Sequence, residues 1–396
     1  MKTNNIFKWP KEIYIFWLVD FILGLELIGP ALLIFFKEWG GLNQTQTQIL
    51  QSWFTLWIFI LEIPTGVYGD VKGKKHSVML GHTLAALGTI VYSIVPNIKL
   101  FFLAEFIFAL GVAFISGAKE AWIYDIAKKH RIEGKFREIT ATSTNLHMLG
   151  MIIASGAFAF LVNLIPIQHI FRMRVICSTI SVILLGFFVK STDGKKKSTL
   201  KPDYIGTAKK GFNILRSNLN LKKITIYISI LSSTSYFVIW LYQEALKVLE
   251  VPETLFGAYR IILLVGEILA IRIIAYLLKK YDNKKVNIGM AIIVASGFII
   301  GALLRNTVGI FFVLAFAGGL GLQVSNIFSK ETNEEISSEQ RATVLSFISM
   351  VKRLMLTIFN PFIGYIVDSK GVFIAFAILG VISLSAVFFK PKVKLK

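Results

Sequence analysis

Cysteine is nearly absent from the chain. Cys177 is the single thiol in 396 residues, which excludes an intramolecular disulfide and any zinc or iron–sulfur site built on several cysteines. Charge is scarce too. Asp, Glu, Lys and Arg make up 17% of the residues, against about 25% in soluble domains. Acidic residues are the scarcer kind, 23 against 43 Lys and Arg. The sequence has no G-x-x-x-x-G-K-[ST] phosphate loop, no H-E-x-x-H and no G-x-S-x-G. Its five histidines are scattered, so no enzyme is expected, and neither a metal nor any other cofactor. The opening MKTNNIFKWPKE runs into an apolar stretch without a small-residue cleavage site, and no cleavable signal peptide is expected. What is abundant is apolar surface: 55% of residues are hydrophobic and 33 are Phe, with a mean hydropathy of +0.67. A formal charge of +20 on a polar chain would suggest nucleic acid as partner. On a chain this greasy it predicts an all-α polytopic membrane protein whose partner is the lipid bilayer, with its charges confined to loops.

Apolar stretches of about 20 residues bounded by charge, Pro, Asn or Gly mark the spans. Twelve are expected, at 13–36, 46–69, 77–95, 99–126, 138–163, 168–190, 223–246, 254–278, 286–304, 308–329, 341–367 and 371–389. Placing both termini in the cytoplasm leaves only Lys37, Lys99, Arg172, Arg174, Lys247, Arg305 and Lys370 on the outer side. Lys119, Arg260, Arg272, Lys352 and Arg353 fall within spans, and all other basic residues lie inside. That asymmetry is the positive-inside pattern, and it fixes the expected orientation in the cell membrane. The organisation expected is a six-helix bundle over 1–190, a cytoplasmic linker over 191–222 and a second six-helix bundle over 223–396. In the linker Ile205, Ala208, Phe212 and Leu215 recur at helical spacing beside Lys209, Lys210 and Arg216, the pattern of a short amphipathic helix at an anionic membrane surface.

At the end of the second expected span the chain reads Glu62-Ile-Pro-Thr-Gly66-Val-Tyr-Gly-Asp70-Val-Lys-Gly73-Lys74-Lys75. Gly66 is expected to allow close helix approach, Gly73 to permit a tight reversal, and Asp70 to need a partner at a helix end, with Lys74 nearby and Asp125 able to take another of these cations. Position by position, Gly66, Asp70, Gly73, Lys74 and Lys75 resemble the signature G-x-x-x-D-x-x-G-[RK]-[RK] of the major facilitator superfamily. Gly111 to Asp125 resembles the fourth helix of prokaryotic members, and Glu339 to Asp368 resembles their eleventh. The resemblance implies twelve helices in two pseudo-symmetric bundles. It also implies a conformational switch in which the motif joins Asp125 and the start of the eleventh helix, at Arg341, to lock the outward-facing state. Two departures stand beside it. No Arg occurs in Glu105-Phe-Ile-Phe-Ala-Leu before Gly111, and the fifth span lacks the proline of a G-P-x-x-G-G run, both of which proton-coupled drug exporters of the superfamily carry.

A charge at mid-membrane costs roughly 2.5–3.5 kcal/mol on insertion scales, so each needs a partner, water or a task. Glu26 is the first candidate for proton coupling, followed by Asp20 on the same span and Glu267 on the eighth. A continuous helix would set Asp20 and Glu26 about 120° and about 9 Å apart. Glu267 is also a plausible ion-pair partner for Lys352 or Arg353. Tyr236, Trp240 and Gln243, spaced i, i+4, i+7 on the seventh span, are substrate-cavity candidates, together with Gln323 and Arg353; Asn326 and His147 read as interhelical groups. The function expected is a monomeric secondary transporter of a small organic solute, using protons as coupling ion and exporting in the manner of a multidrug antiporter. Its alternatives are proton symport or uniport for nutrient uptake, and a transport-inactive sensor or scaffold on the same fold.

Overall fold

The computed structural model of the chain describes residues 9–192, 204–329, 332, 336 and 341–389. Among the described residues every regular element is helical, as a lipid-embedded backbone requires when no water is available to satisfy its polar groups. Eleven helices are long and apolar enough to cross a membrane. Where the third of the twelve spans is expected stands Lys74–Tyr92, a helix of 19 residues whose Ser77, His82, Thr83 and Thr89 make it less apolar than its neighbours. Large apolar side chains lie outward: Phe187 is 83% exposed, Leu164 76% and Leu303 76%, a surface that suits lipid rather than water.

By internal contacts the chain divides into two units. The first holds Met1–Phe35, Trp39–Gly41 and Trp53–Pro202, and the second Phe36–Glu38, Leu42–Ser52 and Asp203–Lys396. Residues 36–38 and 42–52, where the first span ends and the second begins, therefore belong with the second half of the chain. Within that unit Lys37 binds Glu244 at 2.7 Å, Lys247 binds both Glu38 and Glu253, and the Asp368 carboxylate accepts from the backbone N–H groups of Gln44 at 3.1 Å and Thr45 at 2.7 Å. Asp368 thus caps the positive end of the helix Gln44–Lys72.

Four spans are not the continuous helices expected. The first runs Lys11–Gly24, breaks at Leu25–Leu27, and resumes as Ile28–Leu33 and a wider π-helical turn, Ile34–Trp39. The fourth breaks at Ser116–Gly117, with Gly117 at φ 73°, between Ile98–Ile115 and Ala118–Lys129. The seventh is Leu219–Tyr236 and Val238–Val248, interrupted at Phe237. The tenth passes through a π-helical stretch, Val313–Leu320. The irregular spans are the first, fourth, seventh and tenth, so the two sixes share an architectural repeat that their residues do not spell out.

In the first unit, Ile13, Phe16 and Val19 of the first span pack on Val78, Trp122, Ile123 and Leu185, with Phe16 edge-on to Trp122 at 4.9 Å. The helix Tyr204–Ser217 lies in the second unit, where Leu215 packs beside Leu221, Ile336 and Val344 and the Phe212 ring meets Phe347. Its apolar stripe is therefore used at least partly for packing on the eleventh span, rather than lying free as a surface helix would. The side chains of Ile205 and Ala208 lie outside the described residues.

Candidate functional site

The motif around Gly73 is built largely as its chemistry suggests. Gly73 adopts φ 104°, ψ 143° between the helices Gln44–Lys72 and Lys74–Tyr92, a conformation open to glycine and costly to a residue with a Cβ. Lys74 pairs with Asp125, not with Asp70, because the helix that starts at residue 74 carries its side chain toward the fourth span. Lys75 donates to the carbonyls of Gly186 at 2.7 Å and Val189 at 2.8 Å, closing the end of the sixth span where helix carbonyls lack partners. Asp70 is exposed and has no ion-pair partner among the described residues. The side chain of Arg341 lies outside them, although the helix Arg341–Lys370 begins at that residue. Gly66 does not serve close helix approach: a Cβ there would meet nothing within 4 Å, because the residue sits on an exposed face.

The polar residues inside the first unit come together differently from the sequence-based ranking. The break at Leu25–Leu27 removes the continuous-helix relation between Asp20 and Glu26. Glu26 falls in the break and is held by Arg174 of the sixth span at 3.3 Å, while that guanidinium lies 4.7 Å from the centre of the Phe108 ring. Glu26 is thus a carboxylate with a structural cation. Asp20, one turn before the break, is 4% exposed. It is paired with Lys119 and accepts a hydrogen bond from Ser143. His147 Nδ1 lies 3.1 Å from the Asp20 carbonyl oxygen, which gives that imidazole the interhelical role expected of it.

These groups border a cavity of about 260 Å³, just under the usual range of roughly 300–1,000 Å³ for pockets that take drug-sized ligands. Asp20 and Leu23 come from the first span, His82 from the third, Ile115 and Lys119 from the fourth, and Ser143, Thr144 and His147 from the fifth. The break in the fourth span explains its place: Ile115 ends one helix, and Lys119 stands in the first turn of the next. The first and fifth spans touch through glycines, for a Cβ at Gly24 would lie 2.1 Å from the His147 carbonyl oxygen and one at Gly150 2.4 Å from that of Phe21. His82 is buried, and its Nε2 has no hydrogen-bond partner among the described residues. Sequence reasoning placed Lys119 within a span without giving it a role, and did not single out Ser143 or His82. A lysine within an apolar span, two residues after a glycine, was the available signal.

The second unit holds another polar cluster. Glu267 accepts from Gln323 Nε2 at 2.6 Å, and Asn326 donates to Gln323 Oε1 at 2.7 Å. Neither Lys352 nor Arg353 is its partner as expected: Lys352 reaches Ser325 at 3.3 Å, and Arg353 Nε reaches Ser349 at 3.3 Å. Two adjacent helical positions diverge by about 100°, so Lys352 turns to the tenth span at Ser325 while Arg353 reaches Ser349 on its own helix. Tyr236, Trp240 and Gln243 do not form one face, since the helix is interrupted at Phe237. Gln243 is fully buried and donates to Tyr242 at 3.0 Å, Trp240 lies against Phe36, and Tyr236 donates to Gln51 at 3.4 Å. None of the five sequence-based cavity candidates borders the cavity of the first unit.

The family comparison matches residues 18–328 to the Major Facilitator Superfamily. The chain belongs to that superfamily. It is a multi-pass membrane transporter of the superfamily type. An uncharacterized MFS-type transporter of Methanocaldococcus jannaschii is 28% identical over 127 residues, covering 32% of this chain and 33% of that protein; the match thus spans about a third of that relative. Among solved structures, a POT family transporter in complex with 5-aminolevulinic acid aligns at a TM-score of 0.76 with 14% identity, over 97% of this chain and 96% of that one. The nucleoside transporter NupG aligns at 0.76 with 14% identity, over 96% and 98%. At such identities the likeness is one of fold.

Proposed function

We propose that this superfamily member moves a small organic solute by alternating access and couples that movement to protons at Asp20. The observation that carries the reading is the buried Asp20–Lys119 pair on the cavity wall. A carboxylate held by one cation in a low-dielectric site changes the net charge of that site when it takes a proton, and so can link proton and solute. Asp20 therefore replaces Glu26 as the coupling candidate, and Glu267 is read as a hydrogen-bonded structural group.

The pair also bears on direction. Both Asp20 carboxylate oxygens are used, one by Lys119 and one by Ser143, whereas Lys119 has three N–H groups and Asp20 as its one described partner. The spare capacity is donor capacity. A solute that supplies an acceptor gains Lys119 fully when Asp20 is protonated, so solute and proton travel together, and an inward proton gradient then drives uptake. Export, the direction first expected, would require a solute cation to displace Lys119 from Asp20. The missing Arg before Gly111 and the missing proline in the fifth span also weigh against a drug exporter.

The test uses proteoliposomes exposed to a small-molecule extract, with their contents read by mass spectrometry. The expected result is a solute that accumulates only with the vesicle interior alkaline, and that loses this pH drive but not exchange in Asp20→Asn. Gradient-driven depletion would assign export, and indifference to the gradient would remove proton coupling. For orientation, Leu200→Cys in a Cys177→Ser background should react with impermeant maleimide only from the cytoplasmic side; labelling of intact cells would reverse the proposed topology in the cell membrane.

A further inference from the structure

The donors at the cavity outnumber its free acceptors, and three independent features put positive potential there. Lys119 offers two N–H groups beyond the one on Asp20. The helix Ala118–Lys129 begins at the break beside the cavity, and its first-turn amides have no intrahelical acceptor. His82 borders the cavity, is 5% exposed, and has an Nε2 without a hydrogen-bond partner among the described residues. A neutral imidazole with its proton on Nε2 is a second donor. Asp20 is the one carboxylate among the residues lining the cavity, and both its oxygens already accept, one from Lys119 and one from Ser143.

We infer that the cavity binds the carboxylate group of a small monocarboxylate solute, held by Lys119 and His82 at the start of the helix Ala118–Lys129, with one proton carried on Asp20. This deepens the proton-coupled reading and rests on it for the transport cycle, though not for binding. Charge balance selects a monoanion. With Asp20 ionised, the pair is neutral. A proton on Asp20 leaves Lys119 as one uncompensated positive charge, which one carboxylate neutralises. A dianion, such as the HPO4²⁻ form of phosphate, would leave a negative charge inside the bilayer. The cycle carries one proton with one monoanion and is electroneutral. The titratable groups that line the cavity with Asp20 are Lys119 from the fourth span, His147 from the fifth and His82 from the third; Arg174 of the sixth is paired with Glu26. Of these, Asp20 is the one whose protonation releases Lys119.

The full chain in nanodiscs is titrated with acetate, propionate and benzoate, their amides, inorganic phosphate and chloride, and thermal stability is recorded at several pH values. Propionate or benzoate is expected to stabilise the wild type more strongly at lower pH, while the amides do not. Asp20→Asn, which leaves Lys119 without its counter-ion, is expected to bind carboxylate several-fold more tightly and without pH dependence. Because a charged hydrogen bond is lost, Asp20→Asn/Lys119→Gln, which keeps a neutral hydrogen-bonding pair, should bind about 10- to 100-fold more weakly than Asp20→Asn. His82→Phe should weaken binding by a smaller factor. Absence of carboxylate stabilisation, equal binding of amides, tighter binding of phosphate or chloride, or undiminished binding by the double variant would each overturn the assignment. Carboxylate binding without proton-driven flux would leave the site standing and remove the transport coupling. Proton-driven flux of an uncharged solute, undisturbed in the double variant, would do the reverse.

Discussion

Lys119→Gln is expected to leave little folded protein, because it strands the Asp20 carboxylate, 4% exposed, against a glutamine. Removing one member of a buried ion pair typically costs about 3–5 kcal/mol, and the remaining exposure of Lys119 places this case toward the lower end. That is a large share of the roughly 5–15 kcal/mol by which domains are stable. The charge-neutral Asp20→Asn/Lys119→Gln is expected to recover the folded fraction, since an amide pair can replace the contact without a buried charge. Fluorescence-detected size exclusion distinguishes the three proteins. If Lys119→Gln is as monodisperse and as thermally stable as wild type, the pair is not the buried, mutually dependent unit described here.

Gly150→Val is expected to cost the protein comparably, for a steric reason. The new Cβ would lie 2.4 Å from the Phe21 carbonyl oxygen and 2.9 Å from the Gly24 Cα, both backbone atoms that no side-chain rotation can move. The first and fifth spans must separate, which costs about 1–3 kcal/mol or more where the backbone has to shift. Their separation also pulls Asp20 and Leu23 away from Ser143, Thr144 and His147, so solute binding should fall with stability. Gly156→Ala on the same span is the control, because a Cβ there meets nothing within 4 Å, and it should leave the melting temperature within a degree or two. Equal melting temperatures for the two variants would contradict the close crossing of these helices.

The helices and the family were legible in the sequence for a simple reason. A bilayer demands long apolar runs, and a turn with φ near 104° demands a glycine such as Gly73, so both leave a record in residue type. The breaks left a fainter one. In the first span Glu26 stands between Leu25 and Leu27 with Gly29-Pro30 just beyond, and in the fourth Gly117 marks the interruption that turns Lys119 to the cavity. Those breaks are why Asp20 and Glu26 exchanged rank, since their assumed angular relation belonged to a helix that does not continue. The site escaped for a different reason. Asp20, His82, Lys119 and Ser143 come from four spans, and pairing across that much sequence depends on which helix faces cross. The close approaches at Gly24 and Gly150 set that crossing in three dimensions. Gly66 misled in the other direction: a small residue suggests a close neighbour, and here it faces outward.

Proton stoichiometry is the most direct measure of whether Asp20 links proton and solute. The purified transporter in weak buffer, near neutral pH, is mixed with saturating propionate while a pH dye records protons taken up or released. The prediction is net uptake approaching one proton per propionate bound, absent in Asp20→Asn even though that variant still binds propionate. Binding by the wild type with no proton uptake, or with proton release, would contradict the account.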